Sequence, residues 1–210
     1  ERIVEAEGCG VLGWRDVPVD AEPLGEFARA TMPAIRQIFV QRASVARDAF
    51  ERKLYVIRRL AEREAAGWEG DPSQFYIASL SSRTVAYKGM LVGSQMPVFY
   101  PDLCDPRFAS PYALLHQRYS TNTFPSWQLA QPFRLLAHNG EINTLRGNLN
   151  RMRAREALLK SDLFGGDVEK LKPIIVEGGS DSAMLDNALE LLGLGGRSLP
   201  HAMMMLVPEA

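Results

Sequence analysis

The sequence predicts an α+β domain, because strand-like and helix-like segments alternate along a chain without internal repeats. The strand-like segments, rich in β-branched or aromatic residues or alternating in polarity, are 34–40, 75–80, 85–91 and 133–138. Segment 46–66 instead repeats its apolar residues every three to four positions, which predicts a helix. No low-complexity tract divides the 210 residues, so we expect one domain or part of one.

Each helical segment carries its own signal. In 46–66, Arg and Glu cover the face opposite the apolar one, as expected of a helix that lies on a core. Two further helices are expected over 148–160 and 181–192, and Gly193 is expected to end the second. Segment 162–171 is polar and contains glycines, so we expect an exposed loop there.

Composition and charge exclude several classes of protein. A formal net charge of −1 gives no one-signed surface for nucleic acid or an anionic membrane. No apolar run is long enough to span a bilayer. Cys9 and Cys104 form neither a disulfide framework nor a zinc motif. His116, His138 and His201 are too scattered in the sequence to predict a set of metal ligands, so no metal is expected.

A nucleic-acid-binding module is the rival interpretation from another functional class. Segment 146–155 carries four arginines that could line a phosphate track. Glu141 and Glu156 flank this segment, however, and no aromatic side chains are interleaved for base stacking. Binding by charge also needs a larger one-signed surface, so we expect no nucleic-acid partner.

The most informative stretch is 116–141, where an Arg-Tyr-Ser-Thr run precedes a His-Asn-Gly turn. Arg118 offers a planar fork of donors that suits a carboxylate. The side-chain amide of Asn139 and the backbone N–H of Gly140 can donate together to an oxyanion. Each motif also has a structural interpretation, since surface arginines often form ion pairs and Asn-Gly is a strong hairpin signal. If both motifs face one pocket, they indicate acyl transfer from a small amino-acid substrate.

A third element lies downstream in 174–182, an expected apolar strand that ends in glycines and then starts a helix. Asp181 at this junction can hold a substrate ammonium. It can equally cap the helix, in competition with Ser180 or Ser182. A phosphate cradle is disfavoured, because no lysine occupies the place that a Walker loop requires and the acid would repel phosphate.

Three motifs, RYST, HNGE and EGGSDS, occur in this order, and they are flanked by the longer stretch TNTFPSWQLAQPFRLLAHNGEINTLRGN, which itself contains the second motif. They closely resemble the class II glutamine amidotransferase domain of glutamate synthases. VLGWRDVPVD, MPAIRQIFV, FYIASLSSRTVAYKGML and MMMLVPEA extend the resemblance over nearly the whole chain. The resemblance implies an Ntn-hydrolase fold, a four-layer αββα sandwich of antiparallel sheets. Residues 1–210 would supply the central and later parts of that domain.

The resemblance implies roles for five residues. Arg118 matches the arginine that binds the α-carboxylate of glutamine, with Thr121 a second donor nearby. Asn139 and Gly140 match the pair that forms the oxyanion hole. Asp181 matches the acid that receives the α-amino group.

Two positions separate the branches of the family. Tyr119 and Asn122 stand where smaller class II amidotransferases often have tryptophan and histidine. These departures favour the glutamate synthase branch over the glucosamine-phosphate and phosphoribosylamine branches.

The nucleophile of the family is an N-terminal cysteine whose own α-amino group acts as its base. Residue 1 of this chain is Glu, but Cys9 begins a Cys-Gly-hydrophobic run that cleavage after Gly8 would expose. Another class II amidotransferase with Cys9 as nucleophile is therefore an alternative. Segment 14–18 resembles the interior of the domain, so we expect that the cysteine-bearing segment is missing and that the chain alone is an inactive fragment.

The resemblance also implies partners and cofactors. Glutamine is the expected substrate, and its ammonia would pass to synthase domains of the same polypeptide, where 2-oxoglutarate becomes glutamate. FMN and an iron–sulfur cluster are expected in those domains and no cofactor in this chain. Electrons would come from a reductase subunit or from ferredoxin. A cytoplasmic location is implied, or a plastid in a photosynthetic eukaryote, and no membrane partner is expected.

Overall fold

The computed structural model describes residues 1–42, 44–69, 75–121 and 123–207. These residues combine helices with a two-stranded antiparallel sheet, which confirms the mixed α and β character. The four-layer αββα sandwich is not confirmed, since no second sheet occurs in the described ranges. The elements are strands β1 (Gly10–Asp16) and β2 (Arg36–Gln41), helices α1 (Arg2–Ala6), α2 (Glu26–Ala30), α3 (Arg47–Ala65), α4 (Met96–Phe99), α5 (Leu145–Glu156), α6 (Val168–Leu171), α7 (Asp181–Leu194) and α8 (Leu199–Leu206), and 3₁₀ turns at Gly93–Gln95, Pro101–Cys104 and Gly165–Asp167.

The sheet pairs β1 with β2 in antiparallel register, with Gly10 opposite Gln41. β2 confirms the strand predicted over 34–40. β1 has no counterpart among the predicted strands, because glycines within a strand weaken its sequence pattern. Gly13 follows a register shift and has a φ of 147°, a conformation that glycine tolerates better than other residues.

Several of the predicted strands are wrong, because the structure gives their segments no strand to pair with. Buried backbone groups that lack a sheet partner must find another one. The N–H groups of Arg134 and Leu135 do so by donating to the carboxylate of Asp186, at 3.3 and 2.8 Å. The irregular segments are 75–80, 85–91, 133–138 and 174–176.

Helix α3 confirms the helix predicted over 46–66, and α7 begins at Asp181 as predicted. The predicted end of α7 is wrong, because the helix continues past Gly193 and Gly195 follows it as the C-cap. A Cβ atom at position 193 would lie 3.2 Å from the side chain of Leu199. The glycine thus permits close packing of α7 against α8 instead of ending the helix.

Two other predicted segments differ from the structure, one in its bounds and the other in its secondary structure. Helix α5 (Leu145–Glu156) begins three residues before the predicted segment 148–160 and ends four residues before the end of that segment. The exposed loop predicted over 162–171 is wrong, because this segment forms a 3₁₀ turn followed by α6. Phe164, Val168 and Leu171 are buried there, and their spacing places them on one side of the chain. The polar composition of the segment concealed these apolar anchors.

The largest core cluster lies where α3, α6 and α7 meet. Apolar side chains from the three helices and from the segment before α7 form it, so the start of α7 is held by burial on its inner face. Its buried members are Tyr55, Val56, Phe164, Val168, Leu171, Ile174, Ile175, Met184 and Ala188.

The described residues contain neither a candidate membrane span nor a candidate metal-binding cluster. None of their helices is long and apolar enough to cross a membrane. In the same ranges, no three His, Cys, Asp or Glu side chains gather in a way that could hold a metal ion.

Buried charges connect α3 and α7 to segment 133–138. Arg58, whose side chain is 1% exposed, lies 2.8 Å from Glu62 and also pairs with Glu190. Arg134 lies 3.0 Å from Glu190 and 3.2 Å from Asp186. Burial raises the pKa of Asp186, although Arg134 and two backbone N–H groups act in the opposite direction. Because each charge is buried against a partner, loss of one partner leaves the other uncompensated.

A buried lysine lies beside this network. Lys88 is 7% exposed and its Nζ donates to the carbonyl of Gln128 at 2.7 Å. The ammonium also lies 5.0 Å from the ring centroid of Phe133. Burial, assisted by the positive charge of Arg134, lowers the pKa of Lys88 to about 7. Among the described residues, no carboxylate forms an ion pair with Lys88, and the nearby acid Asp186 pairs with Arg134 instead. Burial in the folded state therefore disfavours the charged form of the lysine.

We predict that Asp186→Ala destabilises the domain by about 3–5 kcal/mol, because Arg134 and two backbone N–H groups lose their buried acceptor. Pulse proteolysis in urea, read on peptides from α7, measures the change. The exposed Asp162→Ala is the control and should change stability by less than about 0.5 kcal/mol. Equal, small effects of the two variants would contradict a structural role for Asp186.

The stability of the domain should rise with pH above about 7 because of Lys88. An unfolded lysine has a pKa near 10.4, so between these values the unfolded chain binds more protons than the folded one. The slope is about 1.4 kcal/mol per pH unit, and it vanishes below pH 7, where both states are protonated. Lys88→Met should remove this slope, whereas exposed Lys160→Met should keep it. The same slope in all three proteins would contradict the assignment.

Candidate functional site

The start of α7 is the point where the three sequence motifs meet. Ser180 is its N-cap, because the hydroxyl accepts a hydrogen bond from the N–H of Ala183 at 3.1 Å. This observation decides among the three candidate caps named from the sequence. Asp181 is the first helical residue and is not needed as the cap, so its carboxylate is available for other donors.

The Asp181 carboxylate binds donors from its own motif and from the turn after Gly140. Its Oδ1 accepts from the N–H of Ser182 at 2.6 Å, and its Oδ2 accepts from the N–H of Ile142 at 3.2 Å. Partial burial acts to raise the pKa of Asp181, but hydrogen bonds from Ser182, Ser120 and Ile142 outweigh it and lower the pKa. Asp181 is therefore an anion at neutral pH, as an ammonium-binding group must be.

The Ser182 hydroxyl joins all three motifs. This residue is 1% exposed, and its Oγ lies 2.8 Å from Nε2 of His138. The same oxygen lies 2.9 Å from Oγ of Ser120 and 3.2 Å from Oδ1 of Asp181. Ser120 belongs to the Arg-Tyr-Ser-Thr run and His138 to the His-Asn-Gly turn. Segments that are far apart in the sequence therefore meet at one buried atom.

Two histidines fix the backbone around these contacts. The N–H of Gly140 donates to Nδ1 of His138 at 3.1 Å, and the N–H of Arg118 donates to Nδ1 of His116 at 3.1 Å. Since a backbone N–H can only donate, each Nδ1 is an acceptor, and the neutral rings carry their proton on Nε2. His116 then donates to the carbonyl of His138 at 3.0 Å, and His138 donates to the hydroxyl of Ser182.

The predicted carboxylate clamp lies open to solvent beside this cluster. Arg118 and Thr121 are exposed, and Arg118 forms no ion pair with a carboxylate in the described ranges. The alternative of a surface ion pair thus has no support within those ranges. Asn122, which marks the family branch, lies outside the described residues.

The predicted oxyanion pair is brought to the site, but only one of its donors is free. Asn139 is exposed, whereas the N–H of Gly140 already donates to His138. The alternative of an Asn-Gly hairpin is wrong here, because no described strand flanks the turn and the φ of Gly140 is not positive. The turn is shaped by His138 instead.

Neither cysteine has the surroundings of an activated nucleophile. Cys9 is 6% exposed and packs with Phe50 and Leu54, in a core cluster that contains no residue of the three motifs. Burial raises the pKa of the Cys9 thiol, and Glu7 raises it further, while Lys53 acts in the opposite direction. A buried, protonated thiol is a poor nucleophile. Cys104 is exposed, and its thiol lies 3.5 Å from the carbonyl of Pro97.

The sequence did not single out three residues of this site. The sequence presents Ser120 only as part of its motif, His138 as part of its motif and as one of three scattered histidines, and Ser182 only as a competing helix cap. Their signal in the sequence is adjacency: His138 precedes Asn139 and Ser182 follows Asp181. Folding brings His116 and His138 together as hydrogen-bonding partners, and not as metal ligands among the described residues.

Comparison with known proteins agrees with the motifs. The family model for class II glutamine amidotransferases matches residues 1–210. The glutamate synthase [NADPH] large chain of Bacillus subtilis is 52% identical over 209 residues, 99% of this chain and 14% of the relative. The ferredoxin-dependent glutamate synthase 1 of Arabidopsis thaliana is 49% identical over 211 residues, 100% of this chain and 13% of the relative.

A fungal relative extends this similarity. The glutamate synthase [NADH] of Saccharomyces cerevisiae is 48% identical over 217 residues, 100% of this chain and 10% of the relative. The chain thus spans about one seventh or less of the length of these proteins. The expected resemblance is confirmed: the chain belongs to the class II glutamine amidotransferases, in a region shared with glutamate synthases.

Proposed function

We propose that this chain binds glutamine and supports hydrolysis of its side-chain amide, as the amidotransferase portion of a glutamate synthase. The observation that carries the proposal is the meeting of the three motifs at the hydroxyl of Ser182. That meeting places an anionic Asp181, an exposed Arg118 and the turn at Asn139 on one continuous set of contacts. Membership of the class II glutamine amidotransferases supports the proposed activity.

The two ends of glutamine's backbone would be recognised by opposite charges. Asp181 would accept the α-ammonium, because hydrogen bonds hold its carboxylate in the charged form. Arg118 would bind the α-carboxylate with two parallel N–H groups, and the hydroxyl of Thr121 would add a third donor. An amino acid is thereby distinguished from a simple amide.

The chemical step would be attack on the carbonyl carbon of the side-chain amide. As the new bond forms, the carbonyl oxygen takes up negative charge, which the side chain of Asn139 and the N–H of Gly140 would stabilise. Collapse of this intermediate expels ammonia, and water then releases glutamate from the acyl-enzyme. The attacking group is expected to be a cysteine thiolate from another part of the polypeptide, because Cys9 is buried with a raised pKa.

The remaining implications of the family are part of the same proposal. Ammonia would pass to synthase domains that use FMN and an iron–sulfur cluster, and the electron donor would be a reductase subunit or ferredoxin. The names of the three relatives contain NADPH, ferredoxin and NADH, so the electron donor differs among them. The complete domain would form the four-layer αββα sandwich, with β1 and β2 in one sheet. A cytoplasmic or plastid location stays a prediction.

We predict that Arg118→Lys, made in the full-length polypeptide, raises the KM for glutamine about tenfold or more. Lysine keeps the positive charge but loses bidentate geometry, and one lost charge-assisted hydrogen bond corresponds to about 1.4 kcal/mol, or tenfold. Glutamate release from glutamine under initial-rate conditions measures the effect. The exposed Arg151→Lys on α5 is the matched control and should leave KM unchanged. An unchanged KM in Arg118→Lys would remove this residue from the site.

A further inference from the structure

A single chain of hydrogen bonds connects the proposed amine-binding acid to the proposed oxyanion donor. The N–H of Gly140 donates to Nδ1 of His138, and Nε2–H of His138 donates to Oγ of Ser182. The hydroxyl of Ser182 then donates to Oδ1 of Asp181. The direction is fixed throughout, because it starts at a backbone donor and ends at a carboxylate that can only accept.

We propose that Ser182 and His138 are positioning residues that couple recognition of the substrate's α-amine to the oxyanion-binding turn. This proposal rests on the proposed glutaminase function. In this proposal neither side chain contacts the reacting amide. They act through Asp181 on one side and through Gly140 on the other.

The hydroxyl of Ser182 is surrounded by three polar side chains, which argues for a specific role. A serine hydroxyl has one proton to donate and two lone pairs to accept with. Its three polar neighbours are His138, which donates to it, Asp181, which accepts from it, and Ser120, whose Oγ lies 2.9 Å away. The residue is 1% exposed, so no solvent molecule can replace a lost partner without rearrangement.

Helix capping does not explain this serine. Ser180, two residues earlier, already supplies the side-chain cap of α7. Two buried serines thus flank Asp181, one serving the helix and the other facing the two motifs. This pair provides a matched comparison between a structural hydroxyl and a positioning hydroxyl on the same turn.

The coupling follows from competition for shared acceptors. An ammonium bound to Asp181 competes with the Ser182 hydroxyl for Oδ1, and any shift of that hydroxyl is transmitted to the ring of His138. The same ring holds the N–H of Gly140 at 3.1 Å. The developing oxyanion must take this N–H from His138, so amine binding and oxyanion binding act on one histidine.

The test uses the full-length polypeptide and compares L-glutamate with glutarate as competitive inhibitors of glutamine hydrolysis. Glutarate lacks the α-amine, so the inhibition constant of glutarate divided by that of L-glutamate reports amine recognition alone. Ser182→Ala should lower this ratio at least tenfold, and Ser182→Thr, which keeps the hydroxyl, should restore it. Ser180→Ala should lower the stability of α7 but leave the ratio within about twofold of the unsubstituted protein.

A second arm tests whether the two residues act together. Asparagine at position 138 can replace Nδ1 as the acceptor for Gly140 but cannot reach Ser182. If the coupling is correct, combining His138→Asn with Ser182→Ala lowers the ratio no further than the more severe single change. Independent, multiplying effects would show two separate roles and overturn the coupling.

The outcomes separate the two levels of the proposal. If the unsubstituted polypeptide does not hydrolyse glutamine, the proposed function fails. If it does so and discriminates glutamate from glutarate, but Ser182→Ala keeps that discrimination, only the positioning role fails. A Ser182→Ala variant that is inactive and recovers with threonine supports the role of the hydroxyl. Inactivity that threonine does not reverse counts against it.

Discussion

The arrangement of the site depends on the hydrogen bonds that the carboxylate of Asp186 accepts from the backbone of segment 133–138. Asp186 lies one turn and a half into α7 and accepts the backbone N–H groups of Arg134 and Leu135, so it fixes an irregular segment against a helix. His138 is the last residue of that segment, 133–138, and Asp181 lies at the start of the same helix. Asp186 therefore helps to set the distance between the His-Asn-Gly turn and the carboxylate of Asp181, which is proposed to bind the amine. Its cost is burial of charge, which Arg134 and the network around Glu190 offset.

The site that results is built largely from hydrogen bonds that hold backbone in place. His116 and His138 accept hydrogen bonds from the N–H groups of Arg118 and Gly140, so imidazole rings hold the backbone of the motifs that would bind the α-carboxylate and the oxyanion. Asp181 draws on backbone donors in the same way, which keeps it charged. In the proposed function, the exposed Arg118 and the partly buried Asp181 would recognise the two charges of the substrate. The hydroxyl of Ser182 connects these groups, because it contacts Ser120, His138 and Asp181.

The sequence pattern predicted those elements whose structure is decided by neighbouring residues. Helix α3 has a continuous apolar face, and the start of α7 has a serine before an acid, so both could be located from the sequence. The segment 133–138 has the composition of a strand, yet its backbone pairs with Asp186, a partner that lies some fifty residues away and has no local signal. The segment 162–171 looked polar because its buried residues, Phe164, Val168 and Leu171, are few. The motifs predicted the candidate residues, but their connection through Ser182 is a tertiary feature.

Hydrogen exchange of the full-length polypeptide, with and without L-glutamate, tests most directly whether the three motifs form one site. Peptides covering 116–121, 138–142 and 180–183 are read by mass spectrometry at glutamate concentrations below and above saturation. The account predicts that all three become protected together, with the same dependence on glutamate concentration. Protection of one segment alone, or protection at different concentrations, would contradict a single glutamine-binding site organised around Ser182.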